Sequence, residues 1–322
     1  MPHANMEHWR SLVTGQLAEY KPITSIEDLV ARRKKGAGLY ARLNVDLPDL
    51  AQFHEHVVMR PKGRSTPTAE IYVPHGKGPF PVLIHLHGGG WFTGTAEGER
   101  KLGMLLATAG FVVVNVDYAL APEQPYPQGL EDCIYAARWV SRHIAEYNGD
   151  PSRIAIGGGS AGGNLAACTV LALHGSEEDL DGGDLAGVPV RFAAAVLEFG
   201  VLDVPLWLQQ PHYYAGVSEM FIMSYLGMNF TDKIRLPLVS PVHNPHLGKM
   251  CPTYLSCGDQ DALLSHTFSM AHALSLVDVP ITVSVVQGAD HEFLKIPGVV
   301  EGSGPERERI AAWLHKQMGT AR

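Results

Sequence analysis

The chain has 322 residues, 46% of them hydrophobic and 18% charged, with 34 glycines and 22 prolines spread along it. Such a composition excludes a disordered or low-complexity polymer, and the length suits one α/β core with an accessory lid. The excess of 33 acidic over 25 basic side chains, a net charge of −8, argues against a nucleic-acid partner.

The opening residues, Met1-Pro-His-Ala-Asn-Met-Glu-His8, lack the basic and apolar blocks of a signal peptide. No stretch approaches the ~18 uninterrupted apolar residues of a membrane span, so a soluble cytoplasmic protein is expected. The first 55 residues read as amphipathic helices, a candidate N-terminal cap segment (1–55) ahead of a catalytic domain over 56–322. Within them, Arg32-Arg-Lys-Lys35 reads as a solvated helix face.

From about residue 68, short β-rich runs alternate with helical patterns. Strands are expected at 69–73, 81–86, 111–116, 153–156, 193–197, 252–256 and 281–286. Several are apolar throughout, as strands buried on both faces of a parallel sheet must be. A helix is expected over 129–147, ended by Asn148-Gly-Asp-Pro151. The alternation predicts an α/β fold, a mostly parallel central sheet flanked by helices. One region departs from it: 204–237, rich in Trp, Tyr, Phe and Met, reads as an inserted helical cap. Cys133, Cys168, Cys251 and Cys257 form no C-x-x-C pair and read as buried reduced thiols.

Two glycine-rich stretches carry the chemistry. His87-Gly-Gly-Gly-Trp91 follows the strand expected at 81–86, and its bare backbone lets N–H groups converge on a developing oxyanion. Gly158-Gly-Ser-Ala-Gly162 fits G-x-S-x-G directly between a strand and a helix, which would lift the Ser160 hydroxyl above the sheet at a positive helix end. The N–H of Ala161, after the serine, is the further oxyanion donor.

Two rival readings compete with this one. Gly157 to Gly162 also satisfies G-x-G-x-x-G, but a polar loop, Glu177-Glu-Asp-Leu-Asp-Gly-Gly-Asp184, stands where the dinucleotide fingerprint wants an acid ending the next strand. His85 and His87 form an H-x-H without a third ligand, so no metal and no cofactor is expected, and His87 is read as ordering the glycine loop.

Chain order then requires an acid after Ser160 and a histidine last. His291, in Gly288-Ala-Asp-His-Glu-Phe293 after the last strand, suits a general base; His266, His272 and His315 fall in helical patterns. Asp259 and Asp261 both follow the strand at 252–256, and the residues alone leave that choice open.

Taken together, these motifs resemble the hormone-sensitive-lipase family of carboxylesterases, bacterial esterase family IV, over residues 65 to 317. Gly159-Ser-Ala-Gly-Gly-Asn-Leu165, Val116-Asp-Tyr-Ala-Leu-Ala-Pro-Glu123 and Ser240-Pro241 carry the resemblance beyond the glycine loop. It implies an α/β-hydrolase fold with a helical cap, and it selects Asp261, whose spacing to Ala271 and Leu274 keeps the family register. For the oxyanion donors it implies two of Gly88, Gly89 and Gly90 together with Ala161, with Gly89 and Gly90 favoured. Glu123 would support the site without acting in it. Three positions depart from the family: Gly159 stands for Asp or Thr, Ala119 for Arg, and Asp-Ala-Leu-Leu-Ser-His266 for D-P-L-R-D-E.

The expected activity is hydrolysis of short- to medium-chain or aryl carboxylic esters through an acyl-serine. Amide cleavage or deacetylation by the same triad is the alternative, and a non-catalytic ligand-binding protein on this fold the minor one. Substrate-binding candidates are Trp91, Trp207, Tyr213, Tyr214, Phe221 and Met223, an apolar set suited to acyl or aryl groups. The partner is a small ester, or an amide; the sequence leaves a homo-oligomer open.

Overall fold

A computed structural model describes residues 44–175, 180, 182–209, 217–296 and 300–320, with five isolated positions before residue 44. The helices expected across most of 1–43, and Tyr213 and Tyr214, lie outside the described residues.

Eight strands form one sheet: β1 (Gln52–Val58), β2 (Thr68–Val73), β3 (Phe80–Leu86), β4 (Val112–Asp117), β5 (Gly149–Gly159), β6 (Phe192–Glu198), β7 (Thr253–Gly258) and β8 (Ile281–Val286). Their order is β1-β2-β4-β3-β5-β6-β7-β8. β2 is antiparallel to both β1 and β4, and every later pairing is parallel. Alternate residues of the central strands enter different cores, Val82, Ile84 and Leu86 one and Leu83 the other. Helices α2 (Gln128–His143), α3 (Ala161–Gly175) and α6 (Leu264–Ser275) cover the first face, and α1 (Arg100–Thr108) and α7 (Ser303–Gln317) the second. Burial on both faces is why these strands read as continuous apolar runs.

The stop after α2 follows the sequence expectation: a 3₁₀ turn, Ile144–Tyr147, ends at Asn148 in the left-handed region with φ 62°. β5 then starts at Gly149, four residues before the expected strand. β1 corrects the N-terminal reading, since residues 52–55 lie in an edge strand and not in a helix. Its period-two pattern is broken by an irregularity between His54 and Val57, with His56 at φ 52°.

Residues 204–237 contribute two short helices, α4 (Val204–Gln209) and α5 (Val217–Leu226). All four cysteines are buried and unbridged. Among the described residues no helix is long and apolar enough to cross a membrane.

Candidate active site

Ser160 occupies the one-residue turn between β5 and α3 and is forced into the left-handed region, φ 56°. A non-glycine residue there is strained by roughly 1 kcal/mol or more, and its surroundings hold it. Its N–H donates to Glu198 O at 2.9 Å, and its carbonyl accepts from the N–H groups of Asn164 and Val201 at 3.1 and 3.2 Å. The flanking glycines answer to steric need: a Cβ on Gly158 or Gly162 would collide with the carbonyl of Leu86 on the neighbouring β3. At Gly159 a Cβ would stand 2.6 Å from the ring of Phe199, which is fully buried. Phe199 fills the space that a larger pre-serine residue would need. Asn164, also in the motif, ties α3 to the route into the inserted region by donating its amide to Val201 O and Val239 O, both at 2.8 Å.

His291 follows β8 and brings Nε2 to 3.1 Å from Ser160 Oγ; its Nδ1 lies 2.8 Å from Asp261 Oδ2. The other Asp261 oxygen, Oδ1, accepts the N–H of Leu263 at 2.7 Å, which fixes the carboxylate. Asp259 is engaged elsewhere, accepting the N–H of Gly288 at 2.8 Å. Burial disfavours a charged His291, but Asp261 outweighs it, so the imidazole holds its proton more tightly than an ordinary histidine. The edge of Phe199 packs on this imidazole with ring centroids 5.1 Å apart.

In the glycine loop, Gly89 and Gly90 have φ 117° and 61°, conformations that only glycine adopts without strain. His87 donates Nδ1–H to Gly88 O at 2.8 Å and stacks on Tyr118, whose hydroxyl donates to His87 O at 2.7 Å. Burial keeps His87 neutral at ordinary pH. Gly88 drops out as an oxyanion donor because its N–H is taken by Glu99 Oε1 at 2.9 Å. Gly89 packs against Thr93 and Gly90 against Phe221, while Ala161 opens α3, where a first-turn N–H has no intrahelical acceptor. His85 pairs with Asn115 and Glu99, and among the described residues no three His, Cys, Asp or Glu side chains gather as a metal site.

Beneath these groups lies a charge cluster that sequence reasoning missed. Lys295 Nζ is 2.8 Å from Glu99 Oε1 and 2.9 Å from Glu292 Oε1, with the Lys295 and Glu99 side chains only 5% and 4% exposed. Although burial opposes both charges, each stabilises the other: the lysine is pushed further up and Glu99 is held below the usual carboxylate range. Glu198, 3% exposed at the end of β6, has an Oε2 with no hydrogen-bond partner among the described residues. Burial, together with nearby Glu99, raises its carboxyl to about 8. Glu198 does end the strand after the G-x-G-x-x-G run, but a buried carboxyl cannot meet a ribose.

The pocket candidates part company. Trp91, 1% exposed, is turned into the core and stacks on Tyr225 at 4.5 Å and 5°, so it does not line an open pocket as expected. Phe221 lies over the glycine loop, where a Cβ on Gly90 would stand 2.7 Å from its ring. Trp207 stacks on Phe221 at 6.4 Å, and Met223 is half-buried on the same helix as Phe221. Arg33, from the basic run read as a solvated face, instead donates to Phe92 O and Ala121 O at 3.1 and 3.2 Å and pairs with Glu123.

A hydroxyl, an imidazole and a carboxylate in line above the carboxyl ends of a mostly parallel sheet define the class, an α/β-hydrolase. Residues 83–295 match the family model described as alpha/beta hydrolase fold, and the chain belongs to that family, the hormone-sensitive-lipase-like esterases of family IV. It is 30% identical over 260 residues to the carboxylesterase NlhH of Mycobacterium tuberculosis, covering 77% of this chain and 79% of that one. To the versiconal hemiacetal acetate esterase of Dothistroma septosporum it is 28% identical over 279 residues, 82% of each. A solved bacterial heroin esterase superposes with a TM-score of 0.78 at 29% identity, covering 92% of this chain and 94% of that one.

Proposed function

We propose that this chain is a serine carboxylesterase in which Ser160 is the nucleophile, His291 the general base and acid, and Asp261 the residue that orients the imidazole. The observation that carries this is the unbroken line from Ser160 Oγ through His291 to Asp261, at 3.1 and 2.8 Å. Neutral His291 takes the serine proton at Nε2 while Asp261 holds the Nδ1–H tautomer. The alkoxide adds to the ester carbonyl, and the N–H groups of Gly89, Gly90 and Ala161 receive the oxyanion; each such donor is worth on the order of 3 kcal/mol in the transition state. The alcohol leaves with the proton from His291. Water, deprotonated by the same imidazole, then frees the acid from the acyl-serine.

Short- to medium-chain and aryl esters are the substrates this reading favours, because Phe221, Trp207 and Met223 offer an apolar wall beside the glycine loop. The reaction needs His291 uncharged, so the rate falls as pH drops through its pKa, which lies above the ordinary histidine value. Replacing Ser160→Ala should cut kcat/KM on p-nitrophenyl butyrate by at least about 10³-fold. A variant within tenfold of the wild type would overturn the nucleophile assignment. A series of aryl esters of graded acyl length, run beside the matching anilides, tests the substrate class.

A further inference from the structure

The structure assigns Lys295 and Glu99 as positioning residues that lock the oxyanion loop to the His291 loop through one buried ion cluster. This rests on the esterase reading above.

The connection can be followed atom by atom. Glu99 Oε1 accepts both the N–H of Gly88, 2.9 Å away, and the ammonium of Lys295 at 2.8 Å. That ammonium also donates to Glu292 Oε1 at 2.9 Å, and Glu292 is the residue after His291. The link is close: a Cβ on Gly88 would stand 2.8 Å from Lys295 Nζ. Glu292 has φ 62°, and Lys295 N–H returns to Glu292 O at 2.9 Å, so the lysine pins a strained turn at its side chain and its backbone. One ammonium thus joins the segment carrying Gly89 and Gly90 to the segment carrying the base.

Stability alone does not account for this arrangement. A buried ion pair is on balance a weak stabiliser, since the cost of desolvating its charges offsets their attraction, and apolar replacements of equal volume are often neutral or better. A cluster directly beneath the donors and the base is explained if their mutual placement is what it secures, because fractions of an ångström there change rate more than they change binding.

The cluster also carries an electrostatic signature. His291 is faced by Asp261 from the loop after β7, by Asp290 and Glu292 from its own loop, by Lys295 from the following turn and by the Ser160 hydroxyl; the ring of Phe199 packed on it is uncharged. Glu99 and Glu198 lie behind Lys295. Removing the cation while Glu292 stays would tighten His291's hold on its proton. Removing the charge of Glu99 leaves Lys295 less neutralised and would loosen it. The two substitutions therefore move the acid limb of kcat/KM in opposite directions, which loss of packing would not do.

The test compares Lys295→Met, Glu99→Gln and Ser160→Ala with the unsubstituted protein, with the active sites of all but Ser160→Ala titrated by a fluorophosphonate. Expected for Lys295→Met and Glu99→Gln are a fall in kcat per titrated site of about tenfold with KM within about twofold. The acid limb should rise by about 0.5 pH unit in Lys295→Met and fall by about as much in Glu99→Gln. Glu99→Gln keeps the shape and an acceptor for Gly88, so it decides the matter alone if Lys295→Met does not fold. An unchanged kcat per site, or acid limbs that stay put or move together, overturns the assignment. Turnover retained by Ser160→Ala would instead show that the esterase reading itself had failed.

Discussion

Position 159 shows how one side chain can answer for another. The family's usual pre-serine residue would meet the ring of Phe199, which packs on His291, so glycine at 159 and phenylalanine at 199 form one solution to filling the space behind the site. Gly159→Asp should be destabilised by about 2–3 kcal/mol through overpacking. The same change made in a Phe199→Ala background should cost at least 1 kcal/mol less, read from urea unfolding of the four proteins; strictly additive costs would refute the coupling. Residues at this scale were unequally legible. Ser160 and His291 stand in local motifs whose spacing survives in the sequence. Asp261 stands two residues from a second aspartate, and its side chain is told apart in space, where Asp259 reaches Gly288 instead. Glu99 and Lys295 lie almost two hundred residues apart, so their pairing left no local pattern. The available signal was a charge inside an apolar run, as in Leu197-Glu198-Phe199 and Phe293-Leu-Lys-Ile296.

Among the elements, α5 is the one to which the proposed function assigns selectivity. Phe221 and Tyr225, four residues apart, share one face of the helix, and that face lies on Gly90 and Trp91. Helix α5 is thus seated on the glycine loop and does not merely arch over it. Because Phe221 is half-buried beside Gly90, Phe221→Ala should open room next to the oxyanion site. The ratio of kcat/KM for an octanoyl over an acetyl aryl ester should rise about tenfold, consistent with the 1–3 kcal/mol that an added apolar contact of this size supplies. An unchanged chain-length profile would remove Phe221 from the substrate's path. Aromatic content marked this region in the sequence, while the inward turn of Trp91 followed from its stacking partner and could not be read from residue 91 alone. β1 escaped notice for a comparable reason: an edge strand with a bulge keeps neither the alternation nor the apolar run by which strands are recognised.

For the molecule as a whole, the parallel sheet and its helices were legible because strands buried on both faces and helices buried on one leave different periods in the chain. The buried carboxyl of Glu198 was not, and it gives the fold a pH dependence. Its folded pKa of about 8 lies above that of the unfolded chain, so the native state binds the extra proton between roughly pH 4.5 and 8. Its contribution to stability is present in full below that window and is lost as pH rises through it. Glu198→Gln should abolish this slope, and its melting temperature should exceed that of the wild type by several degrees at pH 9 while differing little at pH 5; parallel pH profiles for the two proteins would contradict the assignment. The strand order has a consequence of another kind. Ser160 and the glycine loop hang from β5 and β3 at the centre of the sheet, paired Leu86 to Gly158, whereas the His291 imidazole hangs from β8 at its rim. Warming loosens a rim before a centre. Heat should therefore idle this molecule before it melts it, leaving a period in which the serine is still mounted but nothing is there to draw off its proton, and in which cooling alone restores function.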